Sequence, residues 1–62
     1  MIKILTVSGY MLIKRDNLLS ITPRNTSKNT IYVACIDNGT GYEYWEVSYQ
    51  EYVRLVFLYG DN

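Results

Sequence analysis

Residues 37–60 read DNGTGYEYWEVSYQEYVRLVFLYG. Three changes of pattern in that stretch set the fold class. Asp37-Asn38-Gly39-Thr40-Gly41 is a turn, because Asn-Gly supplies positive φ at low cost and is the strongest short hairpin cue. Tyr42 to Val47 then alternates aromatic and acid. In a strand this sends Tyr42, Tyr44 and Glu46 one way and Glu43, Trp45 and Val47 the other. The side with Trp45 and Val47 is the expected core side, which leaves Tyr42 and Tyr44 more open.

The period changes at Ser48. Ser48-Tyr49-Gln50-Glu51 has the S-x-x-E form of a capping box, in which Ser48 bonds the Glu51 amide and Glu51 reaches back. A helix is expected over 49–59, about 16 Å long at 1.5 Å per residue, with Gly60 as a left-handed stop. So short a helix needs a sheet to pack on. Tyr52, Leu55, Val56 and Tyr59 follow the spacing of one buried stripe. Val53, Phe57 and Leu58 fall outside it and form surplus apolar surface, the expected site of self-association.

Upstream, residues 31–37 form a β-rich run. Residues 2–7, 10–14 and 18–22 read as three more strands, divided by Ser8-Gly9 and by the polar turn Arg15-Asp16-Asn17. Pro23 is expected to end the third strand, and the wholly polar stretch 24–30 to be a mobile loop. The expectation is an α+β domain: an antiparallel sheet of four to five short strands (2–7, 10–14, 18–22, 31–37, 42–47) with one C-terminal helix across a face.

Sixty-two residues make a single domain that buries only about 60% of its unfolded surface, so its core is marginal. Cys35 is the only cysteine and histidine is absent. An internal disulfide is thereby excluded, a structural zinc site lacks its ligands, and no cofactor is expected. Cys35 lies in the apolar run 31–36 and reads as a small buried hydrophobe; an unpaired thiol fits a reducing compartment. Neither a signal sequence nor a run of about 20 apolar residues for a membrane span is visible, so the expected location is the cytoplasm.

The zero net charge hides a sorted distribution. Residues 1–30 carry Lys3, Lys14, Arg15, Arg24 and Lys28 against Asp16, a sum of +4; residues 31–62 carry Asp37, Glu43, Glu46, Glu51 and Asp61 against Arg54, a sum of −4. The acidic half also holds six of the seven tyrosines and Trp45. Tyr and Trp bring large contact area at low entropy cost, so that half is the expected contact surface. Cross-strand ion pairing is the plain structural account of the same sorting.

No chemistry-bearing pattern emerges. The commonest general base is missing, and the glycines at 9, 39, 41 and 60 match no phosphate-cradling motif. Glu43 and Glu46 fall on opposite faces of one strand. The reading is a non-catalytic protein-binding module, a small inhibitor or regulator of a cellular protein. Its expected partner surface is Tyr42, Tyr44 and Glu46 with Glu43 at the edge, the acids steering it toward a basic partner or imitating the phosphates of DNA. Self-association through Val53, Phe57 and Leu58 accompanies it. The alternatives are a nucleic-acid-binding protein that grips phosphates with Lys14, Arg15, Arg24 and Lys28, and a purely structural oligomerising domain. In size, in its lack of catalytic groups and in its acidic aromatic surface the chain resembles, in type alone, small phage or mobile-element proteins that inhibit host enzymes.

Overall fold

The computed structural model describes residues 1–60; Asp61 lies outside them. Five strands, β1 (Ile2–Thr6), β2 (Gly9–Ile13), β3 (Leu18–Asn25), β4 (Thr30–Asp37) and β5 (Tyr42–Val47), precede one helix, α1 (Tyr49–Tyr59). The strands form one antiparallel sheet in the order β2-β1-β5-β4-β3. This is the α+β architecture expected from the turns and the capping box.

Topology forces the sheet to curl. Strands β2 and β3 are its two edges, yet only Lys14–Asn17 joins them, three of those residues in a 3-10 turn. Four strand spacings in a flat sheet would span about 19 Å. A five-step link reaches at most about 18 Å when fully extended, and it must also run back along the strands. The sheet therefore wraps toward α1, and Ile2, Ile4, Ile13, Leu18, Ala34, Ile36 and Val47 converge on Leu55.

Local chemistry secures each turn. Thr6 Oγ1 donates to the Gly9 carbonyl (2.7 Å) and accepts from the Ser8 amide (3.0 Å), and Gly9 takes the positive φ the turn demands. In the β4–β5 hairpin, Asp37 Oδ1 accepts from the Gly39 amide (2.8 Å) and Asn38 Oδ1 from the Thr40 amide (3.0 Å). The positive φ falls on Gly39 alone among the non-strand positions of this turn.

Several expectations need correction. Pro23 does not end the third strand: β3 continues to Asn25, paired with Thr30. The reason lies in the phase of the ladder. The Thr26 amide donates to the Asn29 carbonyl (2.7 Å), and hydrogen-bonded pairs alternate from there. Arg24, Thr22 and Ser20 thus bond β4, while Pro23, at a non-bonded position, turns its missing N–H to the free edge. Only residues 26–29 remain as the hairpin tip, and Thr26 Oγ1 ties it down by accepting from the Lys28 and Asn29 amides (3.2 and 3.0 Å).

Gly60 is not a left-handed stop. It is extended (φ −70°, ψ 129°), and its N–H bonds the Val56 carbonyl. Glycine suits the position because a Cβ there would lie 2.5 Å from the Val56 oxygen. The inward side of α1 also differs from the expected stripe. Leu55 is buried and Tyr52 and Tyr59 are half-buried, but Val56 is exposed and Glu51 is buried instead.

Candidate interaction surface

With α1 on one side of the sheet, the other side has no cover among the described residues. Strand alternation puts Tyr42, Tyr44 and Glu46 there, and Tyr42 and Tyr44 are 66% and 59% exposed. Register places Tyr44 opposite Cys35 and Glu46 opposite Val33. Cys35 is half-buried rather than fully buried, because it faces this open side.

Arg24, read from sequence as a loop cation, lies on β3 with its guanidinium 5.5 Å from the centre of the Tyr44 ring. Since β4 runs between β3 and β5, this contact passes over it and accounts for the burial of Val33 (6% exposed) on a side without a helix. A cation on an exposed aromatic face contributes about 0.5–1 kcal/mol. Glu43 stands apart from this surface. It points to the helix side of β5 and accepts from Trp45 Nε1 (2.8 Å) and Asn38 Nδ2 (2.9 Å). These two bonds, that from Asn38 first, hold its carboxyl below the ordinary value.

The same open side continues onto the β1–β2 hairpin, where Leu5, Tyr10 and Leu12 are exposed and Lys3 Nζ lies 4.2 Å from the centre of the Tyr10 ring. Strand β1 meets β5 only at Thr6↔Val47, since the chain turns into α1 at Ser48. The β1 edge beyond that point is closed by side chains of the helix. Glu51 Oε2 accepts from the Leu5 amide (2.9 Å), and Arg54 Nη2 donates to the Lys3 carbonyl (2.8 Å). The two side chains also bond each other, Arg54 Nε to Glu51 Oε1 at 2.8 Å and Nη2 to Oε2 at 2.6 Å.

Ser48 caps the Glu51 amide as expected (3.2 Å), but the Glu51 carboxylate is spent on β1 and Arg54, so the box is one-sided. Arg54 holds the Glu51 carboxyl below its ordinary value against the opposing effect of burial, and the Leu5 amide adds to the lowering. The S-x-x-E pattern disguised this role. The sequence signal that carried it was Arg54 three residues on, the spacing of a helical ion pair.

Cross-strand ion pairing does not account for the charge sorting. Arg54–Glu51 is the one ion pair among the described residues, and both partners come from the acidic half. The basic half turns to aromatic rings: Lys3 to Tyr10, Arg24 to Tyr44, and Arg15 to Tyr59, with its Cζ 5.3 Å from the ring centre. Arg15 also donates to the Tyr59 carbonyl (3.2 Å), so a distant turn supplies the cation that the last turn of α1 lacks.

Lys14, Arg15, Arg24 and Lys28 are consequently not brought together. Lys14 and Arg15 lie in the β2–β3 link, Arg24 sits within β3, and Lys28 is at the β3–β4 tip. The tyrosines are divided as well. Tyr32, Tyr49 and Tyr52 cluster on the helix side with ring centres 4.6–6.3 Å apart, which leaves Tyr42 and Tyr44 on the open side. On the helix, Val53, Phe57 and Leu58 are all exposed, Phe57 by 85%. Among the described residues no helix is long and apolar enough to cross a membrane. Comparison of the chain with protein-family models, with curated proteins and with solved structures finds no match.

Proposed function

We propose that the chain is a non-catalytic protein-binding module, a small cytoplasmic inhibitor or regulator that acts by occupying a surface of a cellular protein. The observation that supports this reading is the open sheet side, where Tyr42 and Tyr44 stand more than half exposed beside Glu46. Two large aromatics on a rigid strand bring contact area that needs little ordering on binding, and Glu46 favours a basic partner. Arg24 widens the surface by presenting a cation against Tyr44. The test is capture of partners from a lysate by the wild type and by a Tyr42→Ala, Tyr44→Ala double variant, with circular dichroism to establish that both are folded. The expected result is a specific partner captured by the wild type and lost by the variant. Equal recovery by a folded variant refutes the surface, and no specific partner for the wild type refutes the module.

Self-association through α1 accompanies this reading. An outward phenylalanine next to Val53 and Leu58 on a domain of marginal core favours pairing of two helices about a two-fold axis.

A further inference from the structure

The sheet ends in the outer edges of β2 and β3, and a stretch of β1 also lacks a strand partner on its β5 side; the chain treats these edges differently. The β1 edge beyond Thr6 is closed by Glu51 and Arg54. The outer edge of β3 has no such partner among the described residues: β3 pairs with β4 alone. The ladder phase fixed by Thr26 and Asn29 turns both the N–H and the C=O of Ile21 outward. Pro23 removes the next outward donor, so the usable edge stops there.

Along this edge runs a groove of about 310 Å³ between β3 and α1, to which Leu18, Ile21, Tyr52, Val56 and Tyr59 contribute together with Arg15 and the polar Ser20 and Thr22 of β3. A strand edge beside a helix, with a groove of mixed lining between them in which Leu18, Ile21 and Val56 supply the apolar part, has the two parts that peptide capture by strand addition requires: main-chain partners for affinity and a side-chain slot for specificity.

We propose that the β3 edge takes up an extended peptide segment of a partner protein as a sixth strand. The peptide lies antiparallel to β3, the stabler arrangement. The residue opposite Ile21 exchanges both main-chain bonds with it and, sharing its face, sends an apolar side chain into the groove. Antiparallel pairing sets the peptide's C-terminal end near Leu18, where Arg15 favours an acidic residue. The partner class is therefore an extended segment with one apolar residue followed two positions later by an acid. This site stands on the β3 edge and is independent of the Tyr42–Tyr44 surface.

The probe is the synthetic peptide acetyl-Thr-Ser-Thr-Leu-Thr-Glu-amide, titrated into the isotope-labelled full chain and followed by amide NMR and hydrogen exchange. Saturable shifts are expected at Leu19 and Ile21, with slowed exchange of the Ile21 amide. Methylation of the leucine amide nitrogen, which deletes one main-chain bond, should weaken binding about tenfold. Replacement of the terminal Glu by Lys should weaken it too. Val56→Glu, at an exposed position in the groove, should weaken binding while leaving the dispersion of the spectrum intact. The proposal is overturned by an absence of shifts at millimolar peptide, by binding indifferent to N-methylation, or by shifts confined to the Tyr42–Tyr44 side. It is equally overturned if Ile21 is protected in the peptide-free protein in proportion to protein concentration, which would make the occupant a second copy of the chain.

Discussion

Replacing Glu51 by Gln tests how this small sheet is held closed. Glu51 is 7% exposed, and its carboxylate accepts from the Leu5 amide and from two nitrogens of Arg54. Glutamine keeps an acceptor for Leu5 but loses the charge that matches Arg54. A hydrogen bond to a charged group is worth about 1.5–3 kcal/mol. The Arg54 side chain is 45% exposed, so solvent screening reduces this, and the expected loss is about 1–2 kcal/mol. Glu51→Ala also strands the Leu5 N–H and should cost about 2–3 kcal/mol. For a chain of this length the whole folding free energy is about 3–9 kcal/mol, so either change is conspicuous.

Urea unfolding followed by Trp45 fluorescence measures the loss, and its pH dependence identifies the cause. The folded-state value of Glu51 lies below the ordinary 4.5. Its contribution is therefore fully present above that ordinary value and is lost as the pH falls through the folded value. The gap between wild type and Glu51→Gln should be constant from neutral pH down to about pH 5 and should close in stronger acid. A gap below about 0.5 kcal/mol at neutral pH, within the range of an ordinary surface change, would refute the assignment of Glu51 as the closure of the β1 edge. A gap that persists unchanged in strong acid would refute its electrostatic origin.

Two further outcomes are expected. Ser48→Ala removes the hydroxyl that caps the Glu51 amide and should cost about 1 kcal/mol in the same urea assay; no measurable change would mean that the cap is redundant with the anchoring of Glu51. Phe57→Glu, at a position 85% exposed, should alter stability by no more than about 0.5 kcal/mol while lowering the sedimentation mass from dimer to monomer; a wild type that already sediments as a monomer at high micromolar concentration would remove the self-association reading.

The alternation from Tyr42 to Val47, the Asn-Gly turn and the Ser48 cap were legible in the sequence because each depends on neighbours within a few residues. Strand periodicity alone placed Tyr42 and Tyr44 on one side and Trp45 and Val47 on the other, and the helix began where a hydroxyl meets an orphan amide. The extent of β3 was not legible. Whether Pro23 interrupts a strand depends on which way its absent N–H would point, and the Thr26–Asn29 bond fixes that phase from the far end of the hairpin. Nor was the role of Glu51, whose carboxylate is claimed by a strand 46 residues away. The sorted charges invited an account by cross-strand ion pairs. The fold instead set Lys3, Arg15 and Arg24 against tyrosine rings and left Arg54 to pair with the acid on its own helix. The elements and the two sides of each strand follow from local geometry and period, and so could be read residue by residue. Which edge is closed, which tyrosines stay open and where the cations lie depend instead on how a short β2–β3 link curls the sheet around one helix.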